Sequence, residues 1–152
     1  ELDRFGLSFS LGYPTPENES EILRRISAPG FAPAVAAVTG PEEILAARKA
    51  IAEVHVADAV REYIVQIVRA TRHHGDVRLG ASPRAALFLQ QAARTRAAAE
   101  GRAFVIPEDV ESPAPAVLAH RIQLSSQARL ARTDASRCVA SICAAIPKPT
   151  GL

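Results

Sequence analysis

The chain has 152 residues, which is enough for one domain with a hydrophobic core. Hydrophobic residues make up 48% of it, but aromatic residues only 5%, so the core consists mainly of Ala, Leu, Ile and Val. Such residues in segments of helical length predict an all-α fold. A net charge of +2 is too balanced to indicate nucleic-acid binding by itself, and no apolar run has membrane-spanning length.

The first predicted element is a short strand at residues 7–11. Its sequence, LSFSL, alternates apolar and polar residues, as a half-buried strand does. No other segment of the sequence offers this strand a partner. The chain also begins at Glu1 and contains no methionine. We therefore expect a piece of a longer protein, whose remaining sheet lies outside this sequence.

The rest of the sequence is predicted to form helices, most of which begin at a proline. The first begins at Pro16 after the cap Thr15, and it has Ile22, Leu23 and Ile26 on its apolar face. The other predicted helices span Pro41–Ala52, Asp58–Arg72, Pro83–Glu100, a broken segment Pro107–His120, and residues 134–145. Residues 28–40, APGFAPAVAAVTG, form a connection rich in proline and glycine.

The helix that begins in the stretch RLGASPRAALF contains one unusual residue. Ser82 is a good N-cap and Pro83 suits the first helical position, while Gly80 allows the chain to bend. Arg84, however, is a cation in the first turn, where the helix dipole disfavours it. Either a nearby carboxylate holds Arg84, or the helix N-terminus and the guanidinium together face an anion.

Other catalytic or metal-binding patterns are absent from the sequence. No histidine has metal-ligand spacing, no serine lies in a nucleophile elbow, and no phosphate-binding loop is present. Cys138 and Cys143 are five positions apart, which places them on different faces of a helix. We interpret them as small buried residues of a protein in a reducing, cytoplasmic compartment. We therefore expect no metal site and no complete catalytic site in this chain.

Several segments, taken in order, resemble the C-terminal portion of MoxR-family AAA+ ATPases. They are ELDRF, GYPTPENESEILRR, VREYIVQIVRATR, RLGASPRAAL, FVIPEDV and VLAHRI. In that family an α/β nucleotide-binding core precedes a small helical lid. The resemblance implies that residues 1–13 are the end of the core, with a strand remnant, and that residues 14–152 form an all-α lid of about six helices.

The resemblance also implies roles for individual residues. Arg84, in GASPRA, matches the sensor 2 arginine, which reaches the γ-phosphate of ATP bound in the same subunit. Arg4, in LDRF, matches the arginine finger, which acts in trans on the neighbouring subunit's ATP. Tyr13, Pro14 and Ile22 are expected on the adenine side. ATP and Mg²⁺ are the implied cofactors of the intact protein, whereas this chain alone is expected to bind neither and to be inactive.

The function implied by the resemblance is that of a moving lid in an ATPase. The lid would couple ATP binding and hydrolysis to chaperone-like remodelling or assembly of partner proteins. The expected partners are the chain's own core, neighbouring subunits of a hexamer, and proteins with von Willebrand factor A domains. No nucleic acid and no membrane is expected as a partner.

Two other functions remain compatible with the sequence. In one, the chain is a stand-alone helical interaction module and both arginines form ordinary surface ion pairs. In the other, it is a helical nucleic-acid-binding domain, which its arginine content suggests. The second alternative is disfavoured because acidic residues are interspersed with the arginines along the whole sequence.

Overall fold

The computed structural model describes residues 2–27 and 35–150, so residues 28–34 of the predicted connection lie outside the described residues. The all-α fold is confirmed. After a 3-10 helix at Leu2–Arg4, the α-helices are α1 (Pro16–Ile26), α2 (Pro41–Glu53), α3 (Asp58–Ala70), α4 (Pro83–Ala99), α5 (Pro107–Glu111), α6 (Ala114–Leu118), α7 (Ser126–Leu130) and α8 (Ala135–Ala145). A second 3-10 helix, Ala119–Arg121, follows α6 directly.

The helix boundaries follow the local signals in the sequence. Thr15 precedes α1 and its Oγ1 accepts a hydrogen bond from the Asn18 N–H at 3.4 Å. Proline occupies the first turn of α1, α2, α4 and α5, where its missing N–H costs nothing. Gly101 follows α4 with φ of +72°, the left-handed conformation that ends many helices.

The hydrophobic core lies between α3, α4, α6 and α8. The apolar face of α3 contributes Val60, Tyr63, Ile64, Ile67 and Val68. Small residues of α4 and the short helices α5 and α6 pack against it. From these elements the buried side chains are Ala85, Leu89, Ala93, Ala97, Val110, Ala114, Val117 and Leu118, and α8 adds Cys138, Val139, Ile142 and Cys143.

A small antiparallel sheet was not predicted from the sequence. It pairs β1 (Val77–Leu79) with β2 (Gln123–Leu124), and Val77 lies opposite Leu124. Strands of three and two residues are too short to produce a recognisable alternation, so the segment around β1 had the pattern of a loop. The sheet brings the residues that precede α4 close to the end of the second 3-10 helix.

The predicted strand at residues 7–11 does not form. These residues have no regular secondary structure, and within the described part of the chain the Ser8 N–H donates to Ala116 O at 2.9 Å. A strand requires a partner for its N–H and C=O groups, and the described residues provide none for this segment. Phe9 and Leu11 are consequently 76% and 92% exposed.

The first two helices carry apolar residues that are not covered. No residue of α1 and no residue of α2 is buried. Their exposed apolar residues are Ile22, Leu23, Ile26, Ile44 and Leu45. The well-packed part of the described chain therefore begins at Val54, where the core residues start.

Candidate functional site

Arg84 lies in the first turn of α4 and is exposed. Among the residues that the structure describes, no ion pair includes Arg84. The described residues therefore do not provide the paired carboxylate that the first explanation for this arginine requires. The guanidinium stays available to an external anion, close to the positive end of the helix dipole.

Ser82 occupies the N-cap position of α4, but its side chain does not cap the helix. Its backbone is extended, with φ of −73° and ψ of 165°, and no N–H of the first turn donates to its hydroxyl. The hydroxyl instead lies 2.9 and 3.1 Å from the two carboxylate oxygens of Asp3 and donates to that group. The first N–H groups of α4 are thus left without a side-chain acceptor.

Arg4 follows Asp3 in the N-terminal 3-10 helix, and its side chain is exposed. Its guanidinium lies 5.6 Å from the centroid of the Phe5 ring, within the range of a cation–π contact. Because Asp3 binds Ser82, the segment that carries Arg4 is held at the start of α4. The two arginines that the sequence analysis singled out are therefore attached to neighbouring parts of the structure.

Arg121 is a residue that the sequence analysis missed. Its side chain is fully buried and forms an ion pair with Asp3, with 3.3 Å between Nε and Oδ1. Its terminal nitrogens donate to the carbonyl oxygens of Gly6, at 3.2 Å, of Asp3, at 3.3 Å, and of Phe5. The guanidinium also lies 4.6 Å from the centroid of the Phe88 ring. Burial lowers the pKa of Arg121, and the charge of Asp3 opposes that shift.

His120 adds a further contact to the same segment. Its Nε2 lies 3.0 Å from Phe5 O, to which it donates in the tautomer with a proton on Nε2. His120 and Arg121 belong to VLAHRI, a segment of the family resemblance to which the sequence gave no role. The structure assigns a role to Arg121 because its side chain is buried beside residues that lie 115 to 118 positions earlier in the chain. No local sequence pattern predicts such a contact.

The residues expected on the adenine side are not assembled into a pocket with Arg84. Tyr13 is 98% exposed, and Pro14 and Ile22 are also exposed. Within residues 2–27 and 35–150, no hydrogen bond or ion pair joins any of the three to Arg84. A role for them depends on protein outside these residues.

A second buried charge has a structural explanation. Asp109 is 1% exposed, and its two carboxylate oxygens each lie 2.6 Å from a terminal nitrogen of Arg102. Burial raises the pKa of Asp109, but the hydrogen bonds from Arg102 and from the Ile106 N–H outweigh it, and the pKa lies below its ordinary value. Asp109 therefore anchors the start of α5 as a carboxylate.

Neither a metal centre nor a membrane-spanning segment is found in the described part of the chain. No group of three or more His, Cys, Asp or Glu side chains there is arranged to hold a metal ion. None of the described helices combines the length and apolar character needed to cross a membrane.

Comparison with known proteins identifies the kind of domain. Residues 69–142 match the family model of the AAA lid domain. The chain is 37% identical over 137 residues to chaperone MoxR1 of Mycobacterium tuberculosis, covering 84% of this chain and 36% of that protein. The chain belongs to the MoxR family of AAA+ ATPases and contains their lid domain. The lid match includes Arg84 and Arg121, whereas Arg4 precedes it.

Two further relatives align with almost the whole chain. Uncharacterized protein YeaC of Bacillus subtilis is 33% identical over 149 residues, which cover 98% of this chain and 47% of YeaC. The crystal structure of a candidate ATPase from Cytophaga hutchinsonii superimposes with a TM-score of 0.82 at 28% identity, and the match covers 98% of this chain and 48% of that protein. The chain thus spans about half the length, or less, of these relatives.

Proposed function

We propose that Arg84 is the sensor 2 arginine of an ATPase and contacts the γ-phosphate of ATP bound in the same subunit. The supporting observation is that Arg84 lies exposed in the first turn of a helix, without a carboxylate partner among the described residues. A cation disfavoured by the helix dipole becomes favourable when both face a phosphate. Loss of that phosphate after hydrolysis removes a charge-assisted contact and frees the lid to rotate.

The residues present fit one side of an ATP site. The N–H groups at the start of α4 have no side-chain acceptor, because the Ser82 hydroxyl is directed to Asp3. Pro83 has no N–H and the Ala85 N–H already donates to Ser82 O, so the remaining N–H groups of the first turn and the Arg84 side chain are suited to bind phosphate oxygens. ATP with Mg²⁺, when bound, supplies the phosphoryl bond that is broken. The phosphate-binding loop and the Mg²⁺ ligands are expected in the core, outside this chain.

We also propose that Arg4 is an arginine finger that acts on the ATP of a neighbouring subunit. Its side chain is exposed, while the backbone around it is bound by Arg121. A held backbone with a free guanidinium suits a residue that stabilises transition-state charge across a subunit interface. Hydrolysis then requires assembly, for which we propose a hexameric ring.

The division of the chain and the work of the intact protein follow from the same proposal. Residues 1–13 would belong to the nucleotide-binding core and residues 14–152 to the lid. Tyr13, Pro14 and Ile22 would approach the adenine once the core is present. The exposed apolar residues of α1 and α2 support this division of the chain, because they are suited to pack against a nucleotide-binding core.

The relative named chaperone MoxR1 supports a chaperone-like role. We propose that the intact, cytoplasmic protein uses ATP to remodel or assemble partner proteins, among them proteins with von Willebrand factor A domains. In such a ring the lid is the moving element: its angle depends on whether Arg84 contacts a phosphate.

The proposal is tested with the full-length protein by mixing two inactive variants. Arg4→Ala subunits retain their own phosphate loop but donate no finger. Subunits without the phosphate-loop lysine bind no ATP productively but donate an intact Arg4. Mixed rings should regain ATPase activity that neither variant has, because a subunit of the second kind can complete the site of a neighbour of the first kind.

Two controls give this experiment a clear outcome. Co-purification of two differently tagged variants must show that mixed rings form, and Arg129→Ala, at an exposed arginine of α7, should leave ATPase activity unchanged. Arg84→Ala should reduce ATP affinity as well as turnover, since it removes a contact of about 1.5–3 kcal/mol. Mixed rings that form without regaining activity would show that Arg4 does not act in trans.

A further inference from the structure

The backbone on both sides of Arg4 is held by one buried side chain. Arg121 donates to the carbonyl oxygen of Asp3, which precedes Arg4, and to that of Phe5, which follows it. It also donates to Gly6 O at 3.2 Å. Because the Arg121 side chain is fully buried, these bonds form away from competing water. The backbone around Arg4 is therefore held by Arg121, a residue of the second 3-10 helix.

The Asp3 carboxylate links the same segment to the start of α4. Its oxygens accept the hydrogen bond from Ser82, and one of them pairs with Arg121 Nε at 3.3 Å. Ser82 lies two positions before Arg84. Asp3 is thus bound on one side to the helix that carries Arg84 and is joined by a peptide bond to Arg4 on the other.

The bond between Ser82 and Asp3 has a cost that local structure does not explain. A serine at an N-cap ordinarily accepts a hydrogen bond from its own helix, which stabilises the helix start. Ser125 and Asp134 do so at α7 and α8, with acceptor distances of 3.2 Å. At α4 this capping bond is absent, and the Ser82 hydroxyl instead donates to Asp3, which lies 79 positions earlier.

We infer that Asp3, Ser82 and Arg121 form a latch, which makes the Arg4 segment, although it lies in the proposed core, move together with the start of α4 in the lid. The inference rests on the proposed roles of Arg4 and Arg84. A change in lid angle that follows phosphate contact at Arg84 is then transmitted through the latch to Arg4. The state of one nucleotide site thereby sets the position of the finger that serves the next site. In this proposal Asp3, Ser82 and Arg121 are positioning residues, because they act through Arg4 and the helix that carries Arg84.

The latch itself is tested by hydrogen exchange, without any assumption about ATP. In the full-length protein, the Ser8 amide, which donates to Ala116 O, reports whether the N-terminal segment is docked. Ser82→Ala and Asp3→Asn should each raise its exchange rate at least about tenfold, because they remove charge-assisted bonds of the segment. Ser125→Ala is the matched control: it removes a true N-cap at α7 and should not change Ser8 exchange.

The transmission is tested by ATPase kinetics of the full-length protein. Ser82→Ala should lower kcat about tenfold and leave KM for ATP unchanged, because Arg84 remains in place while Arg4 is misplaced. In the double variant Ser82→Ala/Arg4→Ala, kcat should equal that of Arg4→Ala alone, since Ser82 acts only through Arg4. Ser125→Ala should retain the wild-type kcat.

The outcomes separate the latch from the proposed function. If Arg4→Ala itself leaves kcat unchanged, the finger assignment fails, whatever the exchange data show. If Arg4→Ala lowers kcat but Ser82→Ala does not, or the two losses multiply in the double variant, the transmission through Ser82 is wrong. Unchanged Ser8 exchange in both Ser82→Ala and Asp3→Asn would overturn the latch itself.

Discussion

The Ser82 hydroxyl donates to the Asp3 carboxylate, with 2.9 Å between Oγ and the nearer oxygen. This contact joins the first residues of the chain to the helix that carries Arg84. It also leaves the first N–H groups of α4 without a side-chain acceptor, at the end of the helix that favours anions. This hydrogen bond therefore acts together with the contacts of Arg121 to hold the Arg4 segment beside the start of α4.

Gly80 is expected to tolerate no side chain. A Cβ at this position would lie 2.6 Å from Arg72 Cγ and 2.7 Å from both Arg72 Cα and Arg72 N. Because two of these atoms belong to the backbone, the clash cannot be relieved by a rotamer change. We expect Gly80→Ala to lower the free energy of unfolding by about 1–3 kcal/mol, measured by chemical denaturation.

Gly75→Ala is the matched control for that substitution. A Cβ at Gly75 would meet no atom within 4 Å. Its effect on the free energy of unfolding should stay within about 0.5 kcal/mol. Equal effects of the two substitutions would show that the close approach of Gly80 to Arg72 does not limit stability.

Asp109 is expected to make the stability of the chain depend on pH. Its pKa is lowered in the folded protein, so its contribution is present above the unfolded value of about 3.9 and is lost as the pH falls through the lower folded value. Asp109→Asn should therefore cost about 2 kcal/mol at pH 7. The gap between wild type and variant should narrow below about pH 4.

The control for Asp109 is Asp58→Asn. Asp58 pairs with Arg61, but its side chain is 90% exposed, so the pair contributes about 0.5 kcal/mol or less. Thermal unfolding of the three proteins between pH 3 and pH 7, roughly the range in which aspartate titrates, makes the comparison. A constant gap between wild type and Asp109→Asn across that range would contradict the prediction.

The two cysteines are expected to be unreactive in the folded chain. Burial raises the pKa of Cys143 to about 11 and also raises the pKa of Cys138. Both thiols are then protonated near neutral pH and shielded from reagents. Titration with a chromogenic disulfide should show slow labelling of the native protein and rapid labelling of both thiols in denaturant. Rapid labelling of either thiol in the native state would contradict this assignment.

The isolated chain is expected neither to hydrolyse ATP nor to bind it tightly. In the proposed site, Arg84 and the start of α4 contact only one side of the phosphates, and the sequence contains no phosphate-binding loop. Isothermal titration calorimetry of the 152-residue chain should detect no binding at micromolar ATP. A micromolar dissociation constant would mean that the lid alone holds the nucleotide.

The sequence by itself determined the helical architecture and where most helices begin. Signals such as Pro16 after Thr15, Pro83 after Ser82, and Gly101 after α4 act within one helical turn, so they are readable without the fold. In the sequence, apolar residues of α3 recur at the three- and four-residue spacing of one helix face, and the residues of that face are buried: Val60, Tyr63, Ile64, Ile67 and Val68. The unusual position of Arg84 could also be recognised from the sequence, because the direction of the chain fixes the direction of the helix dipole.

Only the tertiary structure decided what surrounds Arg84 and Arg4. The sequence predicted Ser82 as a cap, yet its hydroxyl binds Asp3, and it gave Arg121 no role, yet that side chain holds the Arg4 segment. Both contacts join residues 79 or more positions apart. Local propensities depend on neighbouring residues, whereas these bonds depend on which segments burial brings together. The predicted strand at residues 7–11 did not form for the same reason: its pairing requires a partner that the described chain does not provide.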